Sequence, residues 1–160
     1  MDIHPADGAL SDWFARAQAG SAHARREWAE GGVALLPCGS RFSAVRLSGP
    51  LVYAALGTDA AEVVDVSLAT MLSGPVFCSG FSSQYYALVA GGTARHGWSY
   101  ADEAPLLGTG TYLGVPAVRR TSPPGPYWVS LPHQPGDLCS LPSVAALVAL
   151  GLARSAEASR

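Results

Sequence analysis

Val76-Phe77-Cys78-Ser79-Gly80-Phe81-Ser82-Ser83-Gln84-Tyr85-Tyr86-Ala87-Leu88-Val89-Ala90-Gly91-Gly92 decides the fold class. Val76–Cys78 and Tyr85–Ala90 are short apolar runs rich in β-formers, a Ser- and Gly-rich loop separates them, and Gly91-Gly92 is a turn signal. This predicts an antiparallel hairpin. Immediately upstream, Ala60 to Leu72 carries Ala61, Val64, Leu68 and Leu72 on one helical stripe. Thr58 or Asp59 is placed to cap that helix, and Ser73-Gly74-Pro75 stops it.

Working outward, Val33–Leu36 reads as a short buried strand closed by Pro37-Cys38-Gly39. Ser43–Leu47 is a second strand with Arg46 to one side. Leu51–Leu56 is a short helix ended by Gly57. Asp12 to Glu30 predicts the first helix, with Ser11 as N-cap and Trp13, Phe14, Ala17, Ala24 and Trp28 on its apolar face. Gly20-Ser21 inside it marks a kink or a break. Downstream, residues 93–109 are irregular. Thr111–Val115 and Tyr127–Leu131 are strands, joined by a loop carrying Arg119-Arg120 and Ser122-Pro123-Pro124-Gly125-Pro126. Ser143 to Arg154 is a last helix that turns Val144, Leu147, Val148 and Gly151 inward. Helices and strands are partly segregated, which predicts a single α+β domain with a mostly antiparallel sheet flanked by N-terminal, central and C-terminal helices. The domain is expected over residues 11–154, with tails at 1–10 and 155–160.

Composition narrows the classes of function. The chain has 160 residues, 49% of them hydrophobic and 14% charged. That charged share is below the usual quarter or so, and the apolar content can offset the entropy of ordering. A formal charge of −2 disfavours a binder that works by electrostatics alone. All ten basic residues are Arg, a pattern that GC-rich coding produces and that warns against reading each one as selected for its guanidinium. The acidic, polar start Met1-Asp2-Ile3-His4 lacks the form of a secretory signal. The uncharged run from Val66 to Ala94 is too interrupted for a spanning helix of roughly 20 apolar residues. Three cysteines without a framework, Cys38, Cys78 and Cys139, read as reduced thiols. The expectation is a cytoplasmic protein with no membrane contact.

Catalytic chemistry has little to stand on. Gly108-Thr109-Gly110 runs into strand-forming residues rather than a helix, so no dinucleotide loop is expected. His133 and Cys139 form one loose pair where a zinc site shows two tight ones. Ser82 lacks the second glycine of a nucleophile elbow. Cys38 and Cys78 follow apolar strands and read as small buried hydrophobes. His96 and His133 have no visible partner for base catalysis, and Asp102-Glu103 reads as solvated. No catalytic residue, metal or cofactor is therefore expected. What remains is a basic and aromatic cluster: Arg119 and Arg120 in a loop between strands bearing Tyr112, Tyr127 and Trp128. Aromatic residues on a sheet face can stack bases while arginines meet phosphate. The competing reading, which the sequence alone favours, has Tyr112, Tyr127 and Trp128 filling the core beneath a solvated Arg pair.

Several segments together resemble the primase-polymerase (Prim-Pol) N-terminal domains of high-GC actinobacterial proteins, within the archaeo-eukaryotic primase superfamily. They are Gly31-Gly32-Val33-Ala34-Leu35-Leu36-Pro37-Cys38-Gly39, Gly74-Pro75-Val76-Phe77, Tyr86-Ala87-Leu88-Val89-Ala90-Gly91-Gly92-Thr93, Gly110-Thr111-Tyr112-Leu113-Gly114-Val115-Pro116 and Pro126-Tyr127-Trp128. The resemblance implies an α/β core beside an RRM-like antiparallel sheet. Active members carry an Asp-x-Asp metal pair and a later Ser-x-His. Here Asp65-Val66-Ser67 lacks the second carboxylate, and Ser21-Ala22-His23 precedes the first strand. The leading expectation is a non-catalytic Prim-Pol-like domain that binds single-stranded nucleic acid or nucleotide weakly, accessory to DNA replication or regulation. Its contacts are expected from Arg119, Arg120, Tyr112, Tyr127 and Trp128. The alternative is a protein-interaction or regulatory module that keeps the fold and binds no such ligand.

Overall fold

A computed structural model describes residues 5–80, 83–93 and 95–159. The elements in chain order are helices α1 (Pro5–Ala15) and α2 (Ser21–Gly31), strands β1 (Val33–Pro37) and β2 (Phe42–Ser48), and helices α3 (Gly49–Leu56) and α4 (Ala61–Leu72). Strands β3 (Val76–Cys78), β4 (Gln84–Ala90), β5 (Leu106–Leu107), β6 (Tyr112–Pro116) and β7 (Tyr127–Ser130) follow, before helix α5 (Leu141–Ala158).

The predicted hairpin is the centre of the molecule. β3 and β4 pair antiparallel within a five-stranded sheet of order β5-β2-β4-β3-β7, and every pairing in it is antiparallel. The pleat sorts the side chains by alternation. Val45, Leu47, Val76, Cys78, Tyr85, Ala87, Val89 and Tyr127 enter one core with Leu51 and Val52 of α3, Val64, Leu68 and Leu72 of α4, and Val144, Leu147 and Val148 of α5. Phe42, Ala44, Phe77, Leu88 and Trp128 enter the other, with Phe14 of α1, Trp28 of α2, and Ala34, Leu36, Leu113 and Val115 of a separate two-stranded ribbon, β1-β6. The result is three layers, and both faces of the large sheet are covered.

Several expectations change. The first helix is two helices, because Gly20 takes a non-helical conformation (φ −116°) just before α2. Ser11 consequently lies inside α1 and caps nothing, and α1 reaches into the segment expected as an N-terminal tail, burying Leu10. At the other end α5 continues to Ala158, through most of the expected C-terminal tail, and its cap is Ser140, whose side chain accepts from the Ser143 amide. Thr58 does not cap α4 directly; its hydroxyl accepts from the Ala60 amide at 3.1 Å in the preceding turn. The pairing of the last strands, which the sequence left open, joins β6 to β1 and β7 to β3. The irregular segment is anchored by Trp98, whose indole N–H donates to the Ala104 carbonyl at 2.6 Å.

α5 has the length and hydropathy of a membrane-crossing segment. In the fold, its Val144, Leu147, Val148 and Gly151 are buried against α3 and α4. The approach to α3 is close, since a Cβ on Gly151 would lie 2.6 Å from the Leu51 carbonyl oxygen. Helix propensity alone favours Ala over Gly by about 1 kcal/mol. Packing is expected to win: Gly151→Ala should lower stability by about 1–3 kcal/mol in urea denaturation. A stabilised variant would mean that α5 sits farther from α3.

Candidate functional site

The five expected site residues do not form one surface. Tyr127 and Trp128 are consecutive on β7, so the pleat sends them to opposite faces of the sheet, and both are buried. Trp128 stacks on Phe14 with ring centroids 5.3 Å apart, and its indole N–H donates to the Pro116 carbonyl at 3.0 Å. It ties α1, the ribbon and the sheet together and offers no ring to a base. The expectation that Tyr127 and Trp128 stack a ligand is corrected on that ground.

Arg120 is likewise committed to structure. Its Nε donates to the Pro126 carbonyl at 3.0 Å and its Nη2 to the Pro124 carbonyl at 2.7 Å. Its own carbonyl accepts from the Trp128 amide at 2.7 Å. A Cβ on Gly125 would lie 2.7 Å from Nη2, so that glycine leaves room for the guanidinium. The side chain folds the Pro-rich loop onto the start of β7.

Arg119 is exposed, at the rim of a cleft of about 330 Å³ between α1, α2 and residues 117–119. Trp28 contributes to its floor, and Asp7, Asp12 and Arg25 share its walls. Arg25 is paired with Asp12. Two carboxylates beside two guanidiniums leave no net positive field there. Tyr112, at the other end of β6, is 67% exposed and faces solvent with Leu35, which is 54% exposed. These two residues, Pro37 and the turn between α1 and α2 line a groove of about 420 Å³, with Gln18, His23 and Glu27 on its polar side. A second apolar patch, Val63, Val66 and Met71, lies on α4.

One cluster was not expected from the sequence. Asp65, at the flank of the α4 stripe, accepts from the Tyr127 hydroxyl at 3.2 Å (Oδ2) and 3.4 Å (Oδ1). Burial raises the Asp65 carboxyl above its ordinary value, while the Tyr127 hydrogen bond opposes the rise. Burial also pushes the Cys78 thiol up, against hydrogen bonds from the Gly80 amide and Tyr127. The Tyr127 and Tyr85 hydroxyls are raised as well, by burial first and then by their neighbours' charges. Each shift favours the neutral form except where the tyrosine supports the carboxylate, so the cluster holds a thiol rather than a nucleophilic thiolate. The signal for it was the position of Asp65 beside Val64 and Leu68, a carboxylate turned partly toward the sheet.

The remaining candidates have ordinary roles. Cys139 is buried, its thiol raised to about 12 by burial. His23 meets Glu27 one helical turn away at 3.4 Å. Ser82 lies outside the described residues. Among the described residues no three His, Cys, Asp or Glu side chains gather as a metal site requires. Comparison with family models, curated proteins and solved structures finds no match.

Two outcomes follow from the buried chemistry. Cys38, Cys78 and Cys139 are all buried and should resist iodoacetamide in the native protein, then react on unfolding, as read by mass spectrometry. A raised carboxyl pKa favours the protonated form in the fold. The stabilisation from Asp65 is therefore complete below its ordinary value of 3.8 and lost as pH rises through the raised value. Asp65→Asn keeps an acceptor for Tyr127 and should be more stable than wild type at neutral pH, the difference closing toward pH 3. A less stable Asn variant at neutral pH would show that the charged hydrogen bond outweighs desolvation.

Proposed function

We propose that this chain is a Prim-Pol-like domain used as a non-catalytic protein-interaction module, with the outer face of the β1-β6 ribbon as its recognition surface. One observation carries the reading: Leu35 and Tyr112, two of the largest exposed apolar side chains, are diagonal neighbours on that face. Grouped apolar residues rimmed by polar ones, here Gln18, His23 and Glu27, are the mark of a surface that a partner covers. The covered sheet faces support the same reading, because among the described residues they leave no open platform of aromatic residues for single-stranded nucleic acid. The segments that resemble Prim-Pol domains fall in β1, β3, β4, β6 and β7, so the relationship enters as shared architecture without the acidic pair.

Nucleic-acid or nucleotide binding is the second reading, and Arg119 beside Arg25 above Trp28 is the feature that favours it. Asp7 and Asp12 in the same cleft weigh against a polyanion. Anisotropy titrations with labelled single-stranded DNA and RNA at about 50 and 200 mM salt separate the two readings. The module reading expects no salt-sensitive binding. It also expects a photo-crosslinker at Leu35 to give a defined protein adduct that is absent from Ala149 on α5. Salt-sensitive binding that disappears in Arg119→Ala would reverse the preference.

A further inference from the structure

The two strands of the ribbon end in different edges. In their antiparallel register Leu35 lies opposite Gly114, Leu36 opposite Leu113 and Pro37 opposite Tyr112. Cys38 donates to the Thr111 carbonyl at 2.9 Å and Ala117 to the Gly32 carbonyl at 2.9 Å. These bonds set the alternation, so residues 33, 35 and 37 of β1 and 112, 114 and 116 of β6 turn their backbone groups away from the partner strand.

On β1 that outer edge is blocked at its centre, Leu35. Gln18 Nε2 donates to the Leu35 carbonyl at 2.7 Å, and the Leu35 amide donates to Glu27 Oε2 at 3.4 Å. Pro37 has no N–H to offer. On β6, Pro116 also lacks an N–H, and its carbonyl is taken by Trp128. Tyr112 and Gly114 differ: among the described residues, neither the N–H nor the C=O of either has a partner. No charged residue lies between Glu103 and Arg119, so the edge has none of the charges that usually discourage strand addition.

We propose that β6 pairs antiparallel with β6 of a second copy of this chain, about a two-fold axis at Leu113. This rests on the interaction-module reading and names its first partner. Outward groups must meet outward groups, so Tyr112 pairs with Gly114 of the second copy and Gly114 with its Tyr112. That register makes four main-chain hydrogen bonds. Centring the axis on Gly114 instead would set Tyr112 against Pro116, which has no N–H to give. In the Leu113-centred register each Tyr112 ring lies over the other copy's Gly114, where no side chain competes, and beside that copy's Leu35. The two exposed apolar residues of the ribbon thereby cover one another. The uncharged strands bring no like charges together at the axis. Because Leu35 is blocked in both copies and Pro37 offers no N–H, the outer β1 edges are poor templates for a further strand, and association is expected to stop at a symmetric dimer.

Sedimentation of the full chain, from about 1 to about 500 µM, tests this. Wild type should show a concentration-dependent monomer–dimer equilibrium. Gly114→Pro removes an outward N–H, and Tyr112→Lys sets a charge on the edge. Each should weaken dimerisation by about tenfold or more, with circular dichroism and thermal unfolding confirming the fold. Amide exchange at Tyr112 and Gly114 should slow as wild type is concentrated. A strict monomer over this range overturns the proposal. So does a dimer that neither variant weakens. A monomer that still gives the Leu35 adduct with another protein overturns self-pairing while leaving the module reading intact.

Discussion

Tyr127 and Trp128 are neighbours in the chain, yet the pleat of β7 sends them into different cores. That alternation organises the molecule. A strand whose two faces are both apolar needs cover on both sides, and the chain supplies it with α3, α4 and α5 on one face and α1, α2 and the ribbon on the other. Trp128 is the point where the second layer is fastened, stacked on Phe14 and bonded to the last carbonyl of β6. With the sheet closed on both faces, what is left for recognition lies outside it: strand edges, the ribbon's outer face, the clefts beside α1 and α2, and the apolar patch on α4.

Much of the fold was legible because it rests on local signals. The stop at Ser73-Gly74-Pro75, the pairing of β3 with β4 and the inward set Val144, Leu147, Val148 and Gly151 each depend on periodicity or a turn residue. What was hidden depends on pairing across long sequence separation. Nothing local tells β6 to choose β1 over β7, since both candidates are short apolar strands. The five-residue gap between α1 and α2 was marked by Gly20, but the start of α1 lay in a polar segment without a periodic stripe. β5 is two residues long and has no pattern to read.

The candidate site was less legible for a related reason. Arginine and aromatic residues near one another in sequence suggest a ligand surface, but their roles are set by which carbonyls and rings reach them. Arg120 met two prolyl carbonyls, Tyr127 met Asp65, and Tyr112 met solvent. The cluster around Asp65, Cys78 and Tyr127 has the residue types of an active site. Its burial turns those groups toward their neutral forms, which suits a structural network better than acid–base or nucleophilic work.

The clamp made by Arg120 bears on how this chain can change. Its ten basic residues are all arginine, and Arg119 is an exposed charge at a cleft rim. Arg120 reaches two separate carbonyls at once, through Nε and Nη2. A lysine ammonium is a single point on a flexible stem and cannot reproduce that planar fork. In a lineage drifting toward lower GC content, where arginine codons give way to lysine codons, an exposed position such as 119 could follow the drift. Position 120 would hold its arginine, a fixed point set by loop geometry rather than by charge.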